Sequence, residues 1–335
     1  MTGAFRWILA VMVMLQHLSS RAFDNYTGSY AVFPFLMLLG YFGALGLRET
    51  YGITIRGTAA YLLNRAVRIY PLYYAVLSLC VVVAVWLPDS ATEINPVLRL
   101  PDTAVSWLHN LAIFGLNQDL IRLVPTAWFL DIALTAYIGM SLLLARSRYI
   151  AYAWLVGSVA YAVYSLVAGL PYADRYYSLL GASLPVSMGV VYYYVQGAMP
   201  RLGRWHIALS LGLFGAWAAF SGLFWSGCKD YGFYPSLILA MYVLAAAQTW
   251  QTALPGWLKR LDSVMGDMAY AMFLCHWPVA SLIVHFVFEG SEPDGAILFL
   301  TAMLPTVAVA LLLVFVCRWS LDGLRKQVRR WATTT

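Results

Sequence analysis

Charge in this chain is confined to short clusters that separate long apolar runs, and that pattern leaves few folds open. Hydrophobic residues fill 62% of the 335 positions and charged residues only 11%, where a soluble protein carries about 25% charged residues. In lipid a backbone must satisfy its own polar groups, so apolar runs of this length cross as helices. The sequence therefore predicts an all-α, polytopic membrane protein. Ten transmembrane helices are expected, at about 5–20, 31–47, 69–87, 126–145, 149–169, 177–198, 206–225, 233–250, 265–288 and 295–317. The apolar stretch 104–117 is too short to cross and reads as an interfacial or re-entrant helix. No long linker, repeat or low-complexity tract breaks the pattern, so 1–335 is expected to be a single transmembrane domain with no appended soluble domain. The first run carries His17 and no small-residue cleavage site follows it, which marks a span rather than a signal peptide.

The loops sort by charge. With the N-terminus in the cytoplasm, Arg21, Arg99, Arg122, Arg175 and Lys229 are the five basic residues outside, and the other sixteen of the 21 lie inside. Lys and Arg in short loops set orientation, and an even number of spans then puts both termini in the cytoplasm. The net charge of +6 suggests nucleic acid at first sight. The distribution of basic residues by membrane side excludes that reading. Cys80, Cys228, Cys275 and Cys317 have no metal-ligand spacing, and no His/Asp/Glu cluster or phosphate-cradling glycine loop is present, so neither a metal nor a bound cofactor is expected.

Within this apolar background a few polar residues stand out. Arg6 and His17 are eleven residues apart on the first helix, almost three whole turns, so both point the same way. His17 then lies roughly 16 Å from Arg6 along the axis, near the middle of a hydrocarbon core about 30 Å thick. Ionisable groups at that depth usually face a polar cavity. Two readings of His17 follow, a catalytic imidazole or a histidine bonded to a neighbouring helix for packing. Arg65 and Arg68 are three apart and form a paired guanidinium patch suited to phosphate; ordinary topology signals and anionic-lipid contacts explain such a pair as well. Arg48 and Arg56 lie in the same loop region. His276 precedes Pro278 in the ninth span and either satisfies the break that the proline makes or faces a cavity near an acceptor. Asp131, inside the fourth span, either binds a sugar hydroxyl or orients a base, or pairs with Arg122. His109, His206 and His285 sit near loops or helix ends and are given surface roles.

Several of these residues fall into one pattern. Arg6 and His17 form an Arg-x10-His; Phe33 to Phe42 is an aromatic-rich stretch with Leu39-Gly40-Tyr41 near its end, closed by Arg48; Arg65-Ala66-Val67-Arg68-Ile69-Tyr70-Pro71 is an Arg-x-x-Arg-Ile-x-Pro; Met268 to Pro278 contains Tyr270, His276 and Pro278. In this order they resemble the acyltransferase-3 family of bacterial membrane proteins, over about residues 4–325. The chain departs from that family in lacking an Asp before Arg6, in Leu39 where Ser is usual, and in Ala133 where some members have Glu.

The resemblance implies an integral membrane O-acyltransferase of the bacterial inner membrane. It would take an acyl group, expected to be acetyl, from cytoplasmic acyl-CoA and deliver it to a hydroxyl of a cell-surface or lipid-linked glycan. His17 and Arg6 are then the catalytic candidates, Arg48, Arg65 and Arg68 the acyl-CoA-binding ones, and Asp131 and His276 candidates for the acceptor cavity. Partners are acyl-CoA, the glycan or glycolipid and the bilayer, with no nucleic acid. His17 serves either as general base toward the hydroxyl or as a covalent acyl carrier. The competing readings are transfer of succinyl or another acyl group, and a transporter or flippase for lipid-linked sugars with Arg6 and His17 on its path.

Overall fold

The computed structural model describes residues 2–19, 26–221, 228, 230–251, 254–293 and 296–333, with backbone alone at 251, 318–320 and 333. Arg21 and Lys229 of the charge pattern lie outside the described residues, as do the side chain of Arg318 and the span residues 20, 222–225 and 295. The helices are α1 (Thr2–Ser19), α2 (Ser29–Gly46), α3 (Ile55–Trp86), α4 (Pro88–Ile94), α5 (Ala104–Ala112), α6 (Trp128–Leu142), α7 (Arg148–Val167), α8 (Tyr172–Tyr176), α9 (Leu179–Val195), α10 (Trp205–Ala219), α11 (Phe233–Gln251), α12 (Gly256–Val287) and α13 (Ile297–Thr333). A wider π-type turn, Leu47–Tyr51, follows α2. No strand occurs among the described residues.

Each expected span meets a helix, and the expectation of an all-α polytopic membrane protein holds. Eight helical segments are long and apolar enough to cross a membrane. The two expected spans outside that set are α1, whose apolar run is diluted by Arg6, Gln16 and His17, and α10, which has 15 residues. The stretch 104–117 contains α5, nine residues long, too short to cross. Three helices overrun their expected limits. α3 begins at Ile55, α12 at Gly256, and α13 runs on to Thr333. The added turns are rich in Arg and Lys and contain no proline. Such residues propagate a helix well, so helix length here exceeds the apolar run that a hydropathy pattern detects.

α2 is the central element. It is 78% buried over its apolar window, against 22% for α7 and 28% for α13, so α2 is core and the other two form the rim. It packs on α1, α6, α9 and α11. Against α9 the backbones nearly touch: a Cβ on Gly40 would lie 2.2 Å from the Val186 carbonyl oxygen, and one on Gly189 would lie 2.0 Å from that of Met37. Small residues at such crossings let dispersion contacts form between helices that gain nothing from expelling water.

The starts of α1, α3, α7 and α12 and the ends of α2, α6 and α13 gather at one end of the bundle. Asn64 donates to the Arg325 carbonyl (3.4 Å), and Arg146 donates to the carbonyl of Ile53 (2.8 Å) and the hydroxyl of Thr58 (2.9 Å). We call this the arginine end and its opposite the far end. The α2–α9 crossing generates a prediction. Gly189→Leu forces the two helices apart and destabilises the protein by about 1–3 kcal/mol, the usual cost of overpacking, seen as a lower midpoint of thermal unfolding in detergent; Gly139→Leu, at a position with open space around it, leaves the midpoint near wild type.

Candidate functional site

α1 packs along α12, and both run from the arginine end toward the far end. The first N–H groups of a helix have no partner within it. Asp262 supplies one, its carboxylate accepting from the backbone N–H of Gly3 (3.2 Å) and Ala4 (2.8 Å). Gly266 lets the helices close, since a Cβ there would lie 2.3 Å from the Arg6 guanidinium. Almost three turns further on, His17 Nδ1 meets His276 Nε2 at 2.8 Å. Arg6 and His17 thus share the face that packs on α12, and the parallel register brings His276 level with His17.

Three cavities are arranged along this face. The largest at the arginine end has about 340 Å³ and is lined by Arg6, Arg65 and Arg68 with Gly46, Leu45, Tyr137 and Tyr270. Its deep end is closed by Phe35, Phe129 and Phe273. These three rings contact one another edge-on, with centroids 6.2, 6.1 and 5.3 Å apart. Beyond Phe273 lies a small cavity of about 40 Å³ beside Val13, Gln16, His17, Trp128 and Tyr177. A third, of about 430 Å³ under the far-end loops, is lined by His17, Trp128, Tyr177 and Trp277 together with Asn95, Asn117, Gln118, Arg122 and Asp174. His17 borders the second and third cavities, and Phe273 the first and second.

The arginine cavity is lined by three cations. The Arg65 guanidinium stacks over Tyr61 (5.0 Å) and Tyr137 (5.5 Å), and its buried Nε has no hydrogen-bond partner among the described residues. Arg6 sits over Phe42 (5.6 Å) and uses Nε on the Thr2 carbonyl at 3.4 Å. Arg68 pairs with Asp267 at 3.2 Å, both side chains partly exposed at 34% and 26%; such a screened pair is worth little. Three cations and no carboxylate line the cavity, with Asp262 and Asp267 nearby, which leaves an excess of positive charge facing it.

Three expected site residues, Arg48, Asp131 and His276, line none of these cavities, although His276 meets His17. Arg48 does not line the arginine cavity. Its Nη1 donates to the carbonyls of Ala145 (3.0 Å) and Arg146 (3.2 Å) and to Tyr194 Oη (3.3 Å), which ties the end of α2 to the end of α6. The π-type turn from Leu47 breaks the helical phase that would make Arg48 a neighbour of Arg65. Asp131 borders none of these cavities and makes no pair with Arg122; it accepts from the Asn117 backbone N–H at 2.9 Å and braces the loop before α6. Arg6 belongs to the arginine cavity with Arg65 and Arg68 and makes no contact with His17. Arg56 lies over Trp331 (5.4 Å).

His276 does not mend the proline break. Pro278 removes the donor for the Leu274 carbonyl, four residues back, whereas His276 Nδ1 bonds to the Met272 carbonyl at 3.0 Å. The remaining histidines stand apart from the site: His109 on Asp119, His206 on the Tyr242 hydroxyl, His285 on Ser90. The sequence pattern gives no sign of Asp262 or Asp267. Phe35 falls inside the Phe33–Phe42 stretch and Phe273 and Trp277 inside Met268–Pro278, but nothing in the pattern sets them beside Phe129 or the far-end cavity.

The family described as an acyltransferase domain matches residues 3–319. The chain belongs to that family, the acyltransferase-3 family, and with its apolar helices it is a membrane acyltransferase. No curated protein and no solved structure matches it.

The far-end cavity is shaped by a loop that titrates. Asp119 accepts from the Ile121 N–H at 3.0 Å and pairs with His109 Nδ1 at 3.0 Å. Burial pushes its carboxyl up, but these hydrogen bonds outweigh burial and hold it below its ordinary value. A group held low in the folded state stabilises it above the unfolded pKa and gives that up as pH falls through the folded value. The loop 116–122 therefore loosens as pH drops below about 4, the ordinary carboxylate range, seen as lost hydrogen-exchange protection there; Asp119→Asn removes the pH dependence.

Proposed function

We propose that this protein is an O-acyltransferase that takes an acyl group, acetyl in the first instance, from acyl-CoA in the arginine cavity and transfers it to a hydroxyl of a cell-surface or lipid-linked glycan in the far-end cavity. The observation that carries this reading is His17, half-buried where it borders both the far-end cavity and the small cavity behind Phe273. On the charge rule the arginine end is the cytoplasmic one, the side where acyl-CoA is found; in this reading the protein sits in the bacterial inner membrane with both termini inside. Arg6, Arg65 and Arg68 hold the phosphates of the donor, since guanidinium forks match phosphate oxygens in geometry as well as charge. The polar and aromatic lining of the far-end cavity suits a sugar, with Trp128, Trp277 and Tyr177 offering ring faces and Asn95, Asn117 and Gln118 offering carboxamides.

The chemistry requires a base at the acceptor hydroxyl. The hydroxyl oxygen attacks the thioester carbonyl as His17 takes its proton. The C–S bond then breaks, and the coenzyme A thiolate leaves with a proton returned from the imidazolium. Phe35, Phe129 and Phe273 close the way in this structure, so the thioester reaches His17 when those rings turn aside. That closure also favours a second reading, in which His17 itself carries the acyl group past the aromatic layer as an acyl-imidazole. Incubation with acetyl-CoA in the absence of acceptor separates the two: a protein mass increased by one acetyl group supports the carrier.

The test of the main reading is His17→Ala at matched expression, scored by mass spectrometry of glycan acylation. Loss of about 10²–10⁴-fold is expected for a general base, and full acylation overturns the reading. Arg65→Ala is expected to weaken coenzyme A binding to the purified protein about 10–100-fold, the worth of a charge-assisted contact, while Arg48→Ala lowers thermal stability and leaves that affinity unchanged.

A further inference from the structure

His17 has two ring nitrogens, and only one of them can act on substrate. Its Nδ1 is taken up by His276. Centroids 5.1 Å apart with planes 21° apart, combined with the 2.8 Å separation of the two nitrogens, describe two imidazoles meeting edge to edge. The hydrogen bond therefore lies close to both ring planes, where the lone pair of an unprotonated nitrogen points. Trp277 stacks on the His17 ring at 4.9 Å and 26° and holds that plane.

The direction of this bond follows from the next link. His276 Nδ1 faces the Met272 carbonyl at 3.0 Å. A carbonyl oxygen only accepts, so Nδ1 of His276 carries a hydrogen. No carboxylate bonds to either ring among the described residues, and an isolated charge in such a site is costly, so both rings are neutral and each carries one hydrogen. His276 Nε2 is then bare and accepts. His17 Nδ1 must donate to it, which leaves His17 Nε2 as the bare nitrogen.

We propose that His276 is a positioning residue that sets the tautomer of His17: the chain Met272 carbonyl, His276, His17 directs the basic lone pair to Nε2 and keeps Nδ1 protonated. This rests on the reading of His17 as the group that takes the acceptor proton. It adds which atom does so and what fixes it. As Nε2 takes the hydroxyl proton, His276 Nε2 offers the new positive charge an oriented acceptor at Nδ1, as the partner of a catalytic histidine does generally. His276 touches no substrate in this scheme and borders none of the three cavities.

The experiment has a spectroscopic arm and a kinetic one. Protein labelled with ¹⁵N-histidine in nanodiscs should show one nitrogen–nitrogen coupling across a hydrogen bond, because among the described residues His17 and His276 form the one imidazole–imidazole bond. The hydrogen in that bond is expected on His17 Nδ1; finding it on His276 Nε2 overturns the proposal. Kinetically, His276→Gln keeps an acceptor and a donor at similar reach and should retain transfer within about tenfold, whereas His276→Leu frees His17 to protonate Nε2. Transfer from radiolabelled acetyl-CoA into membrane glycan should then fall about 10²–10⁴-fold in turnover with the KM for acetyl-CoA unchanged. Folding of both variants is checked by thermal midpoint. If folded His276→Leu turns over like wild type, or His276→Gln is as inactive as His276→Leu, the proposal fails. An active His17→Ala would overturn the base reading instead, while the position of the shared hydrogen in the wild-type protein would still stand as measured.

Discussion

The organisation of this bundle depends on how α1 is seated against α12. The seat is fixed at two levels, by the Asp262 carboxylate on the opening N–H groups of α1 and by the His17–His276 bond almost four turns later. Between them the helices meet through Gly3 and Gly266, where no Cβ could be accommodated. A hydrogen bond inside a bundle in lipid contributes modestly to association, so its larger effect is on register. A slip of one residue would rotate α1 by about 100° and carry Arg6 and His17 away from both cavities together. The polar contacts that hold the helix thus also place the chemistry.

Charge at the arginine end is managed by aromatic faces more than by acids. Arg65 lies between Tyr61 and Tyr137, Arg6 over Phe42, and Arg48 over Tyr194. A ring face stabilises a guanidinium without neutralising it. A cavity built this way keeps positive potential that a set of tight carboxylate pairs would cancel, which suits the phosphates of the proposed donor. Among the three cations that line the cavity, Arg68 is paired with an acid, Asp267, at the partly exposed edge of the patch.

The legible and illegible parts of the sequence divide by range. Apolar runs report spans because burial in lipid is a local property of the chain, and the common face of Arg6 and His17 follows from helical period alone. The same locality misleads at helix ends: α3, α12 and α13 continue past their apolar runs on Arg- and Lys-rich turns that favour helix regardless of solvent. The pattern misplaces Arg48 because a π-type turn, invisible in it, shifts the helical phase from Leu47 onward. It misplaces Asp131 because the partner, the Asn117 N–H, is presented by a loop whose Ile113 and Gly115 adopt positive φ. The pairing of His17 with His276 spans 259 positions; no periodicity links them, and motif order alone sets them in one family without placing them in contact.

The layer formed by Phe35, Phe129 and Phe273 has a consequence for the cell. On either side of it stand cavities of about 340 and 40 Å³, the second adjoining one of about 430 Å³. Three apolar rings are therefore a large part of the insulation between the two ends of the bundle, with a proton-exchanging imidazole just beyond them. A charge crossing a membrane at 100 mV releases about 2.3 kcal/mol, and a chain of water through that layer would let protons collect it at every molecule of enzyme. In the proposed reaction, sealing against leakage and admitting a thioester make opposite demands on the same rings, so transfer would be limited to moments when the donor itself fills the gap it opens.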